Sequence, residues 1–223
     1  MSGIAGRWAD LRSTIEGACR RAGRPAESVA LLAVSKLQPV EAVREAYAAG
    51  LRDFGENYAQ ELRDKAAALA EGCPGIRWHA IGPLQTNKAR YVARTAYAFH
   101  ALDRIEVAEE LSRRRTGEPL RVYLEVNLGG EESKSGLRPD GVGPLLARVR
   151  TLPGLTVEGL MALPPLGADA EASRPHFRAL RELARLHGLS GLSMGTTHDF
   201  AVAVEEGATV VRVGTALFGP RPA

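Results

Sequence analysis

Val29-Ala30-Leu31-Leu32-Ala33-Val34, closed by Ser35-Lys36, is an unbroken apolar run of the kind that buries both faces of a strand. Pro39 then opens a stretch with Val40, Val43, Ala46 and Tyr47 at helical spacing, and Gly50 closes it. This strand-then-helix unit recurs along the chain. Further strands are expected at residues 53–55, 77–82, 97–102, 120–127, 156–163, 189–194 and 209–213. Between them lie helical stretches through Tyr58, Leu62 and Leu69, then around Tyr91 and Val92, then from Asp103 to the Arg113-Arg114-Arg115 cluster. Asp103 with Glu106 reads as a helix-start pair. Later helices carry Val142, Leu145, Leu146 and Val149, then Phe177, Leu180, Leu183 and Leu186. Asp199 caps a short one that Gly207 ends. One helix precedes all of these, with Trp8, Leu11, Ile15, Ala18 and Ala22 on one face and Gly23-Arg24-Pro25 at its end.

The count is eight strands, the first seven each followed by a helix. Strict alternation argues a parallel sheet with right-handed crossovers. Eight units at this length predict an α/β fold, a single (β/α)8 TIM barrel with an extra N-terminal helix, over residues 1–223 as one domain. The competing open doubly wound sheet lacks support, because no glycine-rich dinucleotide turn follows the first strand.

Composition limits the function classes. The chain has 223 residues, 45% hydrophobic and 25% charged, as in globular proteins. No apolar run approaches the length of a membrane span. Arg7, Asp10 and Arg12 deny the N-terminus the apolar core of a signal peptide, and Cys19 and Cys73 suit a reducing compartment, so a cytoplasmic protein is expected. A net charge of +3 without a basic stripe gives no reason to expect nucleic acid. The histidines show no paired ligand spacing, so no metal is expected. Gly191-Leu-Ser193-Met-Gly195 matches a nucleophile-elbow string, but His198 precedes Asp199 and no histidine follows, which is the wrong order.

In such a barrel the site lies where the strands end. The first strand ends in Lys36, and a partly desolvated amine there suits Schiff-base chemistry. The seventh and eighth strands end in Ser193-Met194-Gly195-Thr196-Thr197 and Gly214-Thr215. Loops of this composition after those strands suit a phosphate, and a helix starting near Asp199 adds positive potential. Period-two alternation puts Arg212 on the face of Val210 and Gly214, where a buried guanidinium needs a ligand or a carboxylate. An amine, a phosphate cradle and an inward cation together fit pyridoxal 5'-phosphate. His79 is either a packed strand residue or a mouth residue, and Gly82-Pro83-Leu84-Gln85 directly after it favour the mouth.

Seven strings in order carry a resemblance over nearly the whole chain. They are LLAVSK ending at Lys36, FGENYAQE from Phe54, WHAIGPLQTNK from Trp78, EVNLGGEESKSG from Glu125, GLMALPP from Gly159, LSMGTTHD from Leu192 and VRVGTALFG from Val211. In these the sequence resembles the pyridoxal phosphate homeostasis protein family, whose barrel is like the N-terminal domain of alanine racemase. The resemblance implies cofactor held as a Schiff base on Lys36. It implies phosphate held by Ser193, Gly195, Thr196 and Thr197 and by Gly214 and Thr215, with Arg212 at the ring nitrogen. Asn57 and Met161 are implied beside the cofactor, and Lys134 near the entrance. Two departures stand out. Thr197 replaces the family's usual serine, and Leu37-Gln38 replaces its common Thr-Lys before Pro39.

The resemblance implies a cytoplasmic carrier or buffer of the cofactor, without robust catalysis and with transient contact to pyridoxal phosphate-dependent apoenzymes. A monomer is expected, because the domain that pairs alanine racemase subunits has no length here. The alternatives are a slow pyridoxal phosphate-dependent amino-acid racemase and a cofactor-free Schiff-base aldolase, the latter with Glu56 available as an acid.

Overall fold

The computed structural model describes residues 3–130, 135–165 and 169–220. Eight strands close a parallel barrel in sequence order. They are β1 Ala30–Val34, β2 Asp53–Glu56, β3 Arg77–Ala80, β4 Ala98–Leu102, β5 Leu120–Glu125, β6 Leu155–Met161, β7 Gly191–Thr196 and β8 Val210–Val213. Closure is direct: β1 pairs with β8, with Ala30 opposite Val210 and Ala33 opposite Val213. The expected barrel is therefore present, and the open sheet is excluded.

Helix α1 Ile4–Arg21 comes first and packs on the helices at the end of the chain. The crossovers carry α2 Val40–Ala48, α3 Ala59–Leu69, α4 Ala89–Thr95, α5 Ile105–Arg114, α6 Val142–Val149, α7 Arg174–Leu186 and α8 Phe200–Glu205. A last turn, α9 Thr215–Phe218, follows β8. Gly50 and Gly207, the expected helix stops, sit at φ 100° and 102°, a conformation that a Cβ disfavours. Among the described residues no helix is long and apolar enough to cross a membrane.

Local expectations needed correction at three points. Asp103 does not cap α5; Arg104 occupies that position, and Asp103 instead pairs with the Arg104 side chain at 2.9 Å. Leu186 is 75% exposed although Phe177 and Leu180 are buried. A run at steps of three falls roughly 60° short of a full turn each time, so the ninth residue along has crossed to the far face. Ala184, at the proper spacing from Leu180, is buried instead. Ala22 lies just past the end of α1 and is exposed.

Candidate functional site

The strand ends surround a cavity of about 700 Å³, a size that suits a small cofactor. Lys36 and Asn57, just beyond β1 and β2, contribute to its wall. Thr196 and Thr197 contribute from the end of β7, and Arg212, Gly214 and Thr215 from β8 and the turn after it. Four strands far apart in sequence thus deliver seven of the expected residues to one space. Met161, Ser193 and Gly195 are buried and do not line it.

Lys36 is half-buried and its neighbours are tightly held. Ser35 Oγ donates to Glu56 Oε1 at 2.6 Å. Lys65, buried on α3, donates to the Ser35 carbonyl at 2.6 Å, to Glu56 at 2.9 Å and to Glu61 at 2.7 Å. Glu61 in turn accepts the Leu37 N–H at 2.7 Å. The main chain is therefore gripped on both sides of Lys36 by one ion cluster. Leu37 takes φ 60°, a left-handed conformation unusual for leucine. Burial pushes the Glu56 carboxyl up, against the pull of Ser35 and Lys65.

Arg212 begins a hydrogen-bonded chain through the barrel interior. It carries only donors. Nη1 donates to Ser193 Oγ at 2.7 Å and Nη2 to the Ala162 carbonyl at 3.0 Å. Ser193 Oγ lies 2.8 Å from His100 Nδ1. His100 Nε2 lies 2.9 Å from His79 Nδ1, and His79 Nε2 lies 3.0 Å from Asp53 Oδ1. Strands β4 and β7 are not neighbours, so the His100–Ser193 bond must cross the interior.

Where each ring carries one proton, the two ends set the direction of every bond between them. Arg212 can only donate, so the Ser193 hydroxyl is free to donate onward to His100 Nδ1. His100 then donates from Nε2 to His79 Nδ1, and His79 from Nε2 to Asp53. Burial opposes ionisation of Asp53, but hydrogen bonds from His79 and Arg77 outweigh it and hold the carboxyl at about 2. Burial first, and then the charges of His79 and Arg212, keep His100 well below its ordinary value and hence neutral. Burial lowers Arg212 to about 10, which leaves it charged at neutral pH. Of the two acceptors expected for it, a ligand or a carboxylate, no carboxylate bonds to it among the described residues. A hydroxyl and a carbonyl take its bonds, and further N–H donors remain for a ligand.

The loops after β7 and β8 differ in detail from expectation. Asp199 sits at the start of α8 without capping it. Its Oδ1 accepts the Thr196 N–H at 2.7 Å, and its Oδ2 accepts the Ser173 hydroxyl at 2.7 Å. Thr197 Oγ1 accepts the Gly214 N–H at 3.3 Å and so ties the two loops together. The amides of Thr197, His198 and Thr215 have no protein acceptor among the described residues. Gly195 is a packing requirement: its φ is 89°, and a Cβ there would lie 2.5 Å from that of Ala203.

Residues 10–222 match the family model described as alanine racemase, N-terminal domain. A pyridoxal phosphate homeostasis protein of Pseudomonas aeruginosa is 49% identical over 225 residues, spanning 99% of this chain and 97% of its own. This chain belongs to the pyridoxal phosphate homeostasis protein family. The Escherichia coli protein of that name is 41% identical over 99% of this chain and 98% of its own. Among solved structures, Synechococcus elongatus PipY with PLP bound is 39% identical, covers 97% of this chain and 100% of its own, and has a TM-score of 0.85. An alanine racemase from Corynebacterium glutamicum, 20% identical with a TM-score of 0.65, shares the fold over 95% of this chain and 60% of its own.

In this member of the homeostasis protein family, several positions in the barrel interior and on the cavity wall escape sequence reasoning. His79 is not a mouth residue; it lies inside the barrel between Asp53 and His100. His100 belongs to no motif. The alternation that groups Arg212 with Val210 and Gly214 also operates in Ala98-Phe99-His100, but it does not say which face is inside. Glu125 and His198 also line the cavity. Lys134, expected near the entrance, lies outside the described residues.

Proposed function

We propose that this protein binds pyridoxal phosphate as a Schiff base on Lys36 and serves intracellular vitamin B6 homeostasis as a carrier or buffer of the cofactor. The observation that carries this reading is one cavity lined by an amine, a donor-only guanidinium and loop amides that have no protein acceptor among the described residues. The names of its relatives and the PLP bound to PipY support it.

The residues fit the group. Bound there, the cofactor supplies an aldehyde and an electron-withdrawing ring. Lys36 provides the amine, on a backbone fixed by Lys65 and Glu61. The amides of Thr197 and Thr215 are donors for the phosphate, and Gly214 lets it approach the main chain. Thr197 contributes its hydroxyl in the place of the family's serine. Thr196 helps shape this loop, with its own amide committed to Asp199. Arg212 donates to the ring nitrogen while Ser193 and Ala162 hold it in place. A nitrogen that accepts from a charged guanidinium stays unprotonated, so the ring is a weak electron sink and carbanion chemistry is poorly supported. Asn57 would border the cofactor, whereas Met161, buried at the end of β6, would act from outside the cavity lining. Residues 1–223 act as one domain and as a monomer, and apoenzymes receive the cofactor in transient contact.

The test is the visible spectrum of the chain mixed with pyridoxal phosphate, then borohydride reduction and peptide mass spectrometry. The expected result is a yellow protein whose reduced adduct maps to Lys36 and is lost in Lys36→Ala. A protein that stays colourless refutes the reading. Rapid racemisation of L-alanine would refute the carrier role and leave the cofactor site standing.

A further inference from the structure

Glu125 ends β5 on the cavity wall and is 7% exposed. Its carboxyl makes no hydrogen bond among the described residues, and Oε2 is enclosed without a partner. The backbone around it is fixed. The Glu125 carbonyl accepts the Leu137 N–H at 2.8 Å, and Gly136 packs so closely that a Cβ there would stand 3.2 Å from Glu125 Cγ. A buried carboxyl without a donor is costly, so its place on a cavity wall asks for a ligand with N–H or O–H groups.

The cofactor does not meet that need. Joined to Lys36, pyridoxal phosphate presents acceptors: phosphate oxygens, a phenolate oxygen and a ring nitrogen. Its one N–H is held internally by the phenolate. The donor must come from a second molecule. A primary ammonium is also the group that exchanges with a lysine Schiff base.

We infer that Glu125 and the space beside Lys36 form a subsite for the ammonium group of a small primary amine, where Glu125 accepts the proton the amine must lose to displace Lys36 from the cofactor. This rests on the reading that Lys36 holds the cofactor. The amine nitrogen bonds to the aldehyde carbon as the bond from that carbon to the Lys36 nitrogen breaks. Protons leaving the incoming nitrogen pass through Glu125 and end on the departing Lys36 nitrogen. No water, electron or net proton is consumed. The cofactor leaves as a Schiff base of the amine, which gives the carrier a release route set by the amine pool. Asp103 adds negative potential at Glu125, against the positive charge of Arg212. Simple amines are therefore favoured over amino acids, whose carboxylate both acidic groups repel.

The experiment loads the full chain with pyridoxal phosphate, desalts it, adds ethanolamine and quenches with borohydride over time. Mass spectrometry then counts cofactor fixed on Lys36 and cofactor fixed on ethanolamine. Exchange in Glu125→Gln is expected to be slower by roughly tenfold or more, with the adduct on Lys36 unchanged at time zero. Glycine is expected to exchange more slowly than ethanolamine in the unmodified protein. Equal rates in the variant and the unmodified protein overturn the inference and leave Lys36 as the cofactor site. Absence of the Lys36 adduct at time zero in the unmodified protein overturns the parent reading. Where Glu125→Gln does not load, the unmodified protein decides. A rate that saturates with ethanolamine supports the subsite, and a strictly linear dependence marks attack from bulk solvent and overturns it.

Discussion

Replacing Ser193 by alanine tests the interior chain at its joint. Ser193 is fully buried, and its Oγ is the single atom joining Arg212, at 2.7 Å, to His100, at 2.8 Å. Alanine keeps the fold of the strand and removes both bonds at once. It leaves Arg212 with the Ala162 carbonyl alone and His100 Nδ1 with no donor. A buried polar group without a partner costs roughly 1–3 kcal/mol, more when charged, so the two orphans together cost about 2–5 kcal/mol. For a domain of this size that lowers Tm by about 4–20 °C, at roughly 2–4 °C per kcal/mol. The lost oxygen is too small to admit water for both groups, so solvent gives little relief. Scanning calorimetry reads the stability change, and cofactor titration reads the effect on Arg212. The proton order makes a further demand. In the unsubstituted protein, nitrogen-15 spectra should show His100 as a neutral ring protonated on Nε2, with that signature altered in Ser193→Ala. A Tm within 1 °C of the unsubstituted value, with an unchanged His100 spectrum, would refute the reasoning (about 1 °C being well inside the expected loss).

Other consequences follow from the same structure. Lys65→Met strands the buried Glu56 carboxyl beside Ser35 and should cost about 3–5 kcal/mol at pH 8 in urea unfolding. The loss should shrink at pH 5, where the carboxyl takes up a proton; an equal loss at both pH values would contradict it. Leu37→Gly should raise stability by up to ~1 kcal/mol, because the side chain is 54% exposed and its φ of 60° is strained. Leu37→Val should lower it, and a reversed order in thermal melts would argue against strain there. Burial first, and then Asp103, push Glu125 up to about 7, above the ordinary 4.5. A carboxyl raised in this way favours folding below about pH 4.5, and its contribution is lost as pH rises towards about 7. Cofactor-free Glu125→Gln should thus be more stable than the parent by roughly 1–3 kcal/mol at pH 8 and equal to it near pH 4. A pH-independent difference would show that Glu125 is not the group responsible.

Much of the architecture is legible because its signals are local. An apolar run and a helical repeat are properties of neighbouring residues, and strands paired in sequence order add no long-range puzzle. Period-two alternation likewise sets Arg212 apart from Val211 and Val213, and the barrel places it inside, 5% exposed. The failures arise where local signals are ambiguous. Asp103 and Asp199 both look like caps, yet Asp103 faces Arg104 and Asp199 reaches back to Thr196 and across to Ser173. A short acidic side chain before a helix has several donors within reach, and backbone direction decides among them.

The sequence by itself determined the eightfold unit, the position of Lys36 at the end of β1 and the polar turns after β7 and β8. Tertiary structure alone decided what lies between them. Asp53, His79, His100, Ser193 and Arg212 come from five strands, and Ser193 is 93 residues from His100. Alternation says which residues of one strand share a face; it does not say which face is inside or at what height. Height is set by the tilt and stagger of the closed barrel. Closure also turned Glu125, an ordinary strand-end glutamate in the sequence, into a buried carboxyl without a partner among the described residues, on the cavity wall.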